Sequence, residues 1–94
     1  MQYLVVIPRA ADASPTDLKK EDVEQEAKYV RELYASAIVR QIWLRAEGGA
    51  CMIVEADDEE RLRQLAGLPL VRSGYLAQPQ LSRLRPYTGF GPRH

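Results

Sequence analysis

Two runs of this chain, YLVVI at residues 3–7 and ACMIV at 50–54, are apolar at every position. A strand with one face in water alternates polar and apolar side chains. A run that is apolar on both parities belongs in a sheet covered on both faces. Around these runs the pattern predicts two helices and two more strands. Ser14-Pro15 starts the first helix, with Ser14 as N-cap, Pro15 at the first helical position and Asp17 in the first turn, and the helix runs to about Ala35. The strand-like AIVRQIWLRA (37–46), the turn EGG (47–49) and ACMIVEA (50–56) read as a hairpin. Asp57-Asp58 open a second helix through DEERLRQLA, ending at Gly67 with Pro69 just beyond. A fourth strand is predicted from Tyr75 to about Leu84, with Pro79 marking an edge or a bulge.

The resulting order, β-α-β-β-α-β, is the split βαβ, ferredoxin-like arrangement of an α+β fold. It is expected to fill residues 1–86 as one domain, followed by a Gly/Pro-rich tail at 87–94 that is basic at its tip. Two helices cover one face of such a sheet and leave the other bare. Because the first and third strands are apolar on both faces, a lone subunit would expose a large apolar patch. A second copy packed sheet against sheet covers it, forming a dimeric α/β barrel.

Acids and bases balance at 13 each. The long-range basic field that nucleic acid or an anionic membrane requires is therefore missing. No segment approaches a bilayer-spanning length, and the N-terminus shows no basic region followed by an apolar core. Cys51 is the only cysteine and His94 the only histidine, so neither a disulfide nor a Cys/His metal cluster is expected. Ser36 and Ser73 have no histidine nearby to activate them. Gly48-Gly49 is a hairpin turn without a following helix, hence no phosphate loop. From these features a soluble cytoplasmic domain without metal is expected.

One residue breaks the helical pattern. At about 100° per residue, Val23, Ala27, Leu33, Tyr34 and Ala37 all fall within roughly 60° of Val30. Glu26 falls at roughly 40°, inside that apolar stripe, while Glu24, Lys28, Arg31 and Glu32 point elsewhere. Two readings follow. Glu26 sits at the stripe's edge or pairs with an arginine of the sheet, Arg40 or Arg45, as buried acids usually pair. Alternatively an apolar pocket raises its pKa and makes it a proton shuttle. Tyr29, three residues on, lies on the adjoining flank, where its hydroxyl can share that site or simply pack. Trp43 either packs in a core or interface or stacks on a ligand.

VRQIW (39–43) after a helix carrying Glu26, the second helix closed by LPL (68–70), and the strand leading to LSRLRP (81–86) together resemble the muconolactone delta-isomerase family. The resemblance implies a ferredoxin-like subunit that dimerises through its sheet and assembles further, often into a decamer. It also implies a cofactor-free enzyme that moves a double bond in a small unsaturated lactone by proton transfer, in catechol catabolism. The family's helix glutamate falls on Glu26, with Tyr29 where members often carry a histidine, and Gly48-Gly49 where they carry a tyrosine. Catalytic roles are thus expected of Glu26 and Tyr29, and substrate contacts of Tyr34, Arg40 and Trp43. The alternatives are a non-catalytic small-molecule-binding or accessory protein, and a cyclase or monooxygenase of secondary metabolism on the same dimeric fold. Light scattering at micromolar concentration is expected to give a homodimer or larger, not a 10.6 kDa monomer.

Overall fold

The computed structural model describes residues 1–89; residues 90–94 of the expected tail lie outside the described residues. The elements are β1 (Gln2–Ile7), α1 (Lys20–Ala35), β2 (Val39–Leu44), β3 (Ala50–Glu55), α2 (Glu59–Arg63), α3 (Pro69–Arg72) and β4 (Gln80–Arg83). The strands form an antiparallel sheet in the order β2-β3-β1-β4, compatible with a ferredoxin-like fold. Among the described residues no helix is long and apolar enough to cross a membrane.

The two all-apolar runs occupy the two central places. β1 and β3 pair from Gln2 opposite Glu55 to Ile7 opposite Ala50. Val5, Ile7, Met52 and Val54 point under the helices and are buried, while Leu4, Val6, Cys51 and Ile53 take the opposite face and are half-buried. Leu33 of α1 and the segment after β3, with Leu65, Leu68, Leu70 and Val71, close the core over the first set. Each such aliphatic side chain gains about 1.5–3 kcal/mol on full burial, so this face holds the subunit together.

Several boundaries differ from the sequence pattern, each for a local reason. The Ser14 box does form, with Asp17 accepting from the Ser14 amide at 2.8 Å, but it closes a single 3-10 turn over Pro15–Asp17. Leu18 then turns extended, and its side chain lines the space under α1, which starts at Lys20. The second helix tightens into a 3-10 turn at Gln64–Gly67, and Pro69, expected to lie beyond a helix, instead starts α3. Pro is well suited to a first helical position, so the same residue fits either role. β4 begins only after Pro79 and is an edge strand; the expected start near Tyr75 survives as an isolated bridge between Leu76 and Arg9. In β2 a bulge between Val39 and Gln41 inserts one residue, so the side-chain alternation changes phase there.

The end of α1 is closed by Ala37 in the left-handed region at φ 65°. Ile38 N–H donates to the Leu33 carbonyl at 2.9 Å and Ala37 N–H to the Tyr34 carbonyl at 3.0 Å, a Schellman motif whose apolar contact is Leu33 with Ile38, both buried. Ala there carries a strain that glycine lacks. Ala37→Gly is expected to stabilise the fold by about 1 kcal/mol in urea unfolding. Gly49 shows the reverse case: at φ +84° an added β-carbon would lie 2.1 Å from the Ile7 carbonyl oxygen. Gly74, at φ +86°, has open space around it. Gly74→Ala is expected to cost about 1–2 kcal/mol, and Gly49→Ala clearly more, in the same measurement.

Candidate functional site

α1 buries only Leu33 fully, near its C-terminal end. Toward its N-terminus the same stripe, Val23, Glu26, Ala27 and Val30, stands over a half-open cavity of about 610 Å³ between the helix and the sheet, with Val23, Ile42 and Leu44 exposed at its rim. The opposite wall comes from Ile42 and Leu44 of β2, from Ala50 of β3, and from the hairpin glycines Gly48 and Gly49. Leu70, Tyr75 and Leu76 close one side, and Arg31 and Arg45 bring positive charge. The bulge puts Ile42 and Leu44 here: beyond it, Ile42 opposes Met52 and Leu44 opposes Ala50, both on the helix-covered side.

Glu26 is the acid of this cavity. Its Oε1 accepts a hydrogen bond from the Leu70 amide at 3.2 Å. That amide belongs to the first turn of α3, which has no side-chain cap of its own, so Glu26 supplies one from another helix. Partial burial raises the Glu26 pKa above its usual value, and the Leu70 hydrogen bond offsets this only in part. No arginine lies within ion-pair distance of it among the described residues, so the pairing with Arg40 or Arg45 is not formed. The result is a carboxylate in an apolar wall, biased toward taking a proton.

The other residues singled out from the sequence lie elsewhere. The Tyr29 hydroxyl donates to the Gln64 carbonyl at 2.8 Å and covers Gly67, where an added β-carbon would lie 2.5 Å from it. It ties α1 to the 3-10 turn and lies outside the cavity lining. Tyr34, two turns beyond Glu26, is 65% exposed. Trp43 opposes Cys51 on the uncovered face of the sheet and is 51% exposed. Arg40 sits in the bulge; its charge acts on Glu55, whose pKa is lowered mainly by the hydrogen bond from the Met1 ammonium and, to a smaller extent, by Arg40. Of the five, the structure brings only Glu26 to the cavity. Arg45, considered from the sequence only as an ion-pair partner, and Tyr75, not considered, are in its wall.

The chain is similar in structure to a 5-chloro-2-hydroxyhydroquinone dehydrochlorinase from Burkholderia phenoliruptrix, solved in complex with 2,5-dihydroxybenzoquinone. The two share 18% sequence identity and a TM-score of 0.61 over 90% of this chain and 94% of that one. A hypothetical protein from Pyrococcus horikoshii aligns over 97% of this chain and 98% of its own, at 13% identity and a TM-score of 0.46. No protein-family model and no curated protein matches the sequence. The first likeness shows the fold.

The raised pKa of Glu26 has a consequence for stability. A carboxyl that binds its proton more tightly folded than unfolded stabilises most below its unfolded pKa, and that contribution is lost as pH rises through the folded pKa. Glu26→Gln keeps a carbonyl oxygen for the Leu70 amide but has no charge to desolvate. In urea unfolding the variant is expected to be more stable than the parent near pH 7, and the difference to shrink below about pH 4, where the parent carboxyl is protonated as well.

Proposed function

We propose that the chain is a cofactor-free isomerase of the muconolactone type, moving a double bond in a small unsaturated lactone by proton transfer. The observation that carries this reading is the Glu26 carboxylate, lining an apolar cavity with its pKa raised by burial. A double-bond shift next to a carbonyl needs one proton removed and one returned to another carbon of the conjugated system. A carboxylate in water is a weak base for the first step, with a pKa near 4.3. Burial brings the group closer to the working pH and so makes it a better base that still gives the proton back. One residue on one wall of the cavity can do both, provided the ring lies flat against it. The dehydrochlorinase neighbour, solved with a six-membered quinone, supports a ring-shaped ligand and a setting in aromatic catabolism.

The subunit is proposed to work as a homodimer or a larger homo-oligomer, its uncovered sheet face meeting a second copy in a dimeric α/β barrel. Leu4, Val6, Ile53 and the exposed Trp43 lie on that face. A second reading rests on the Leu70 hydrogen bond: Glu26 then serves α3 as a cap and the scaffold is a non-catalytic binding protein.

Turnover of muconolactone, followed by its ultraviolet change, separates the two. The parent is expected to isomerise it, and Glu26→Gln to lower kcat by about 10²–10⁴-fold while remaining folded and assembled. A variant within a few-fold of the parent would make Glu26 a structural acid.

A further inference from the structure

We infer that Tyr75 is the neutral hydrogen-bond donor of this cavity, its hydroxyl meeting the ring oxygen on which negative charge gathers when Glu26 removes a proton. The inference rests on reading the cavity as the isomerase site, and adds the residue that stabilises the intermediate. Tyr75 is half-buried, packed on the core and part of the cavity wall. Its backbone is tied on both sides. The Tyr75 carbonyl accepts from the Ala10 amide at 2.9 Å, and the next amide, Leu76, donates to the Leu70 carbonyl at 2.9 Å. The Leu70 amide is the one that donates to Glu26. Leu70 thus holds Glu26 at one end and the chain beside Tyr75 at the other, which puts the two side chains in neighbouring parts of one wall. The hydroxyl itself is not held. Among the described residues it has no hydrogen-bond partner, and no buried side-chain oxygen is left unpaired, so it reaches open space. A tyrosine packed on a core ordinarily finds a partner for its hydroxyl, as Tyr29 does in the Gln64 carbonyl. Tyr75 keeps its donor for a group that enters.

The charged donors of the lining suit this task less well. Arg31 is exposed on α1, and the Arg45 guanidinium is engaged with the Gly48 carbonyl at 3.1 Å. A guanidinium beside the base would also lower the pKa that burial raises, and no cation is among the causes that set the Glu26 pKa. A phenol stays neutral to a pH of about 10. It therefore donates to an oxyanion without making Glu26 a weaker base. In the step itself Glu26 takes the ring proton, and the C–H electron pair moves through the conjugated system onto the carbonyl oxygen. Tyr75 keeps its own proton and shares it with that oxygen in a hydrogen bond to a charged acceptor. The charge returns to carbon as Glu26 gives its proton back at the second position. Tyr75 also borders a polar depression lined by Asp12, Asp17, Asp22 and Lys19. The net negative charge there repels an oxyanion, so the donor serves one on the cavity side.

The test uses 4-nitrophenol, held as its phenolate to stand in for the enolate, and 4-nitroanisole, of similar shape without the charge. Both are titrated into the full chain, and the phenolate's absorption band and the amide NMR shifts are recorded. Tyr75→Phe keeps the packed ring and is expected to weaken the phenolate about tenfold, and 4-nitroanisole by no more than about twofold. The phenolate bound to the parent is expected to absorb at a shorter wavelength than when bound to the variant, because a hydrogen bond fixes charge on its oxygen. In a Glu26→Gln background Tyr75→Phe should cost the phenolate the same factor, so a wrong assignment of the base and a wrong assignment of the donor give different results. An equal loss of both probes, an unmoved band, shifts confined to the amides of Asp12 and Asp17, or no binding of either probe at millimolar concentration would each overturn the inference. So would a Tyr75→Phe variant that fails to fold, since the hydroxyl would then be structural.

Discussion

The pairing of β1 with β3 is the contact on which the remaining structure depends. Six residue pairs in register bring two apolar runs, far apart in sequence, into the middle of the sheet. Every other element is placed relative to that pair. The helices cover its buried side, β2 and β4 flank it as edges, and Leu4, Val6 and Ile53 on its second side are only half-buried. A shift of one residue would exchange the two sides, and both would still be apolar. Register is therefore set elsewhere, by the β2–β3 turn and by Gly49, which packs so closely on the Ile7 carbonyl that no β-carbon fits.

The cavity follows from an uneven fit between α1 and this sheet. Leu33 is buried and the motif closed by Ala37 fixes that end of the helix to the start of β2. At the other end, Leu18 and the 3-10 turn at Pro15–Asp17 bring the chain in from the side, and the stripe from Val23 to Val30 faces a space instead of a packed wall. Glu26 lies at that end. A carboxylate at the place of Leu33 would instead be enclosed by the aliphatic core.

The order of the strands and the two main helical segments was legible in the sequence, because strand runs and helical stripes leave periodic marks. So was the anomaly of Glu26, which is a matter of angle along one helix. Less legible were features in which a single residue resets the geometry. The bulge at Val39–Gln41 turned Ile42 and Leu44 to the helix side of the sheet and Trp43 to its other face, and no residue type announces it. Pro69 reads equally well as a helix stop or a helix start. Tyr29 is on the expected flank of α1, but its partner is a backbone carbonyl some 35 residues away, at Gln64, a contact that exists only once the chain has folded back. Arg45 enters the cavity wall through the path of the hairpin, which periodicity does not describe.

The hydrogen bond from Leu70 to Glu26 ties the ionisation of one carboxylate to the seating of a helix. A charged acceptor holds an amide more strongly than a neutral one, roughly twofold. Whenever Glu26 takes up a proton, the first turn of α3 is held less firmly, and α3 carries Leu70 and Val71 into the core. Leu70 also forms part of the cavity wall. The acid thus acts as a latch: its charge state sets how tightly one side of the cavity is fastened.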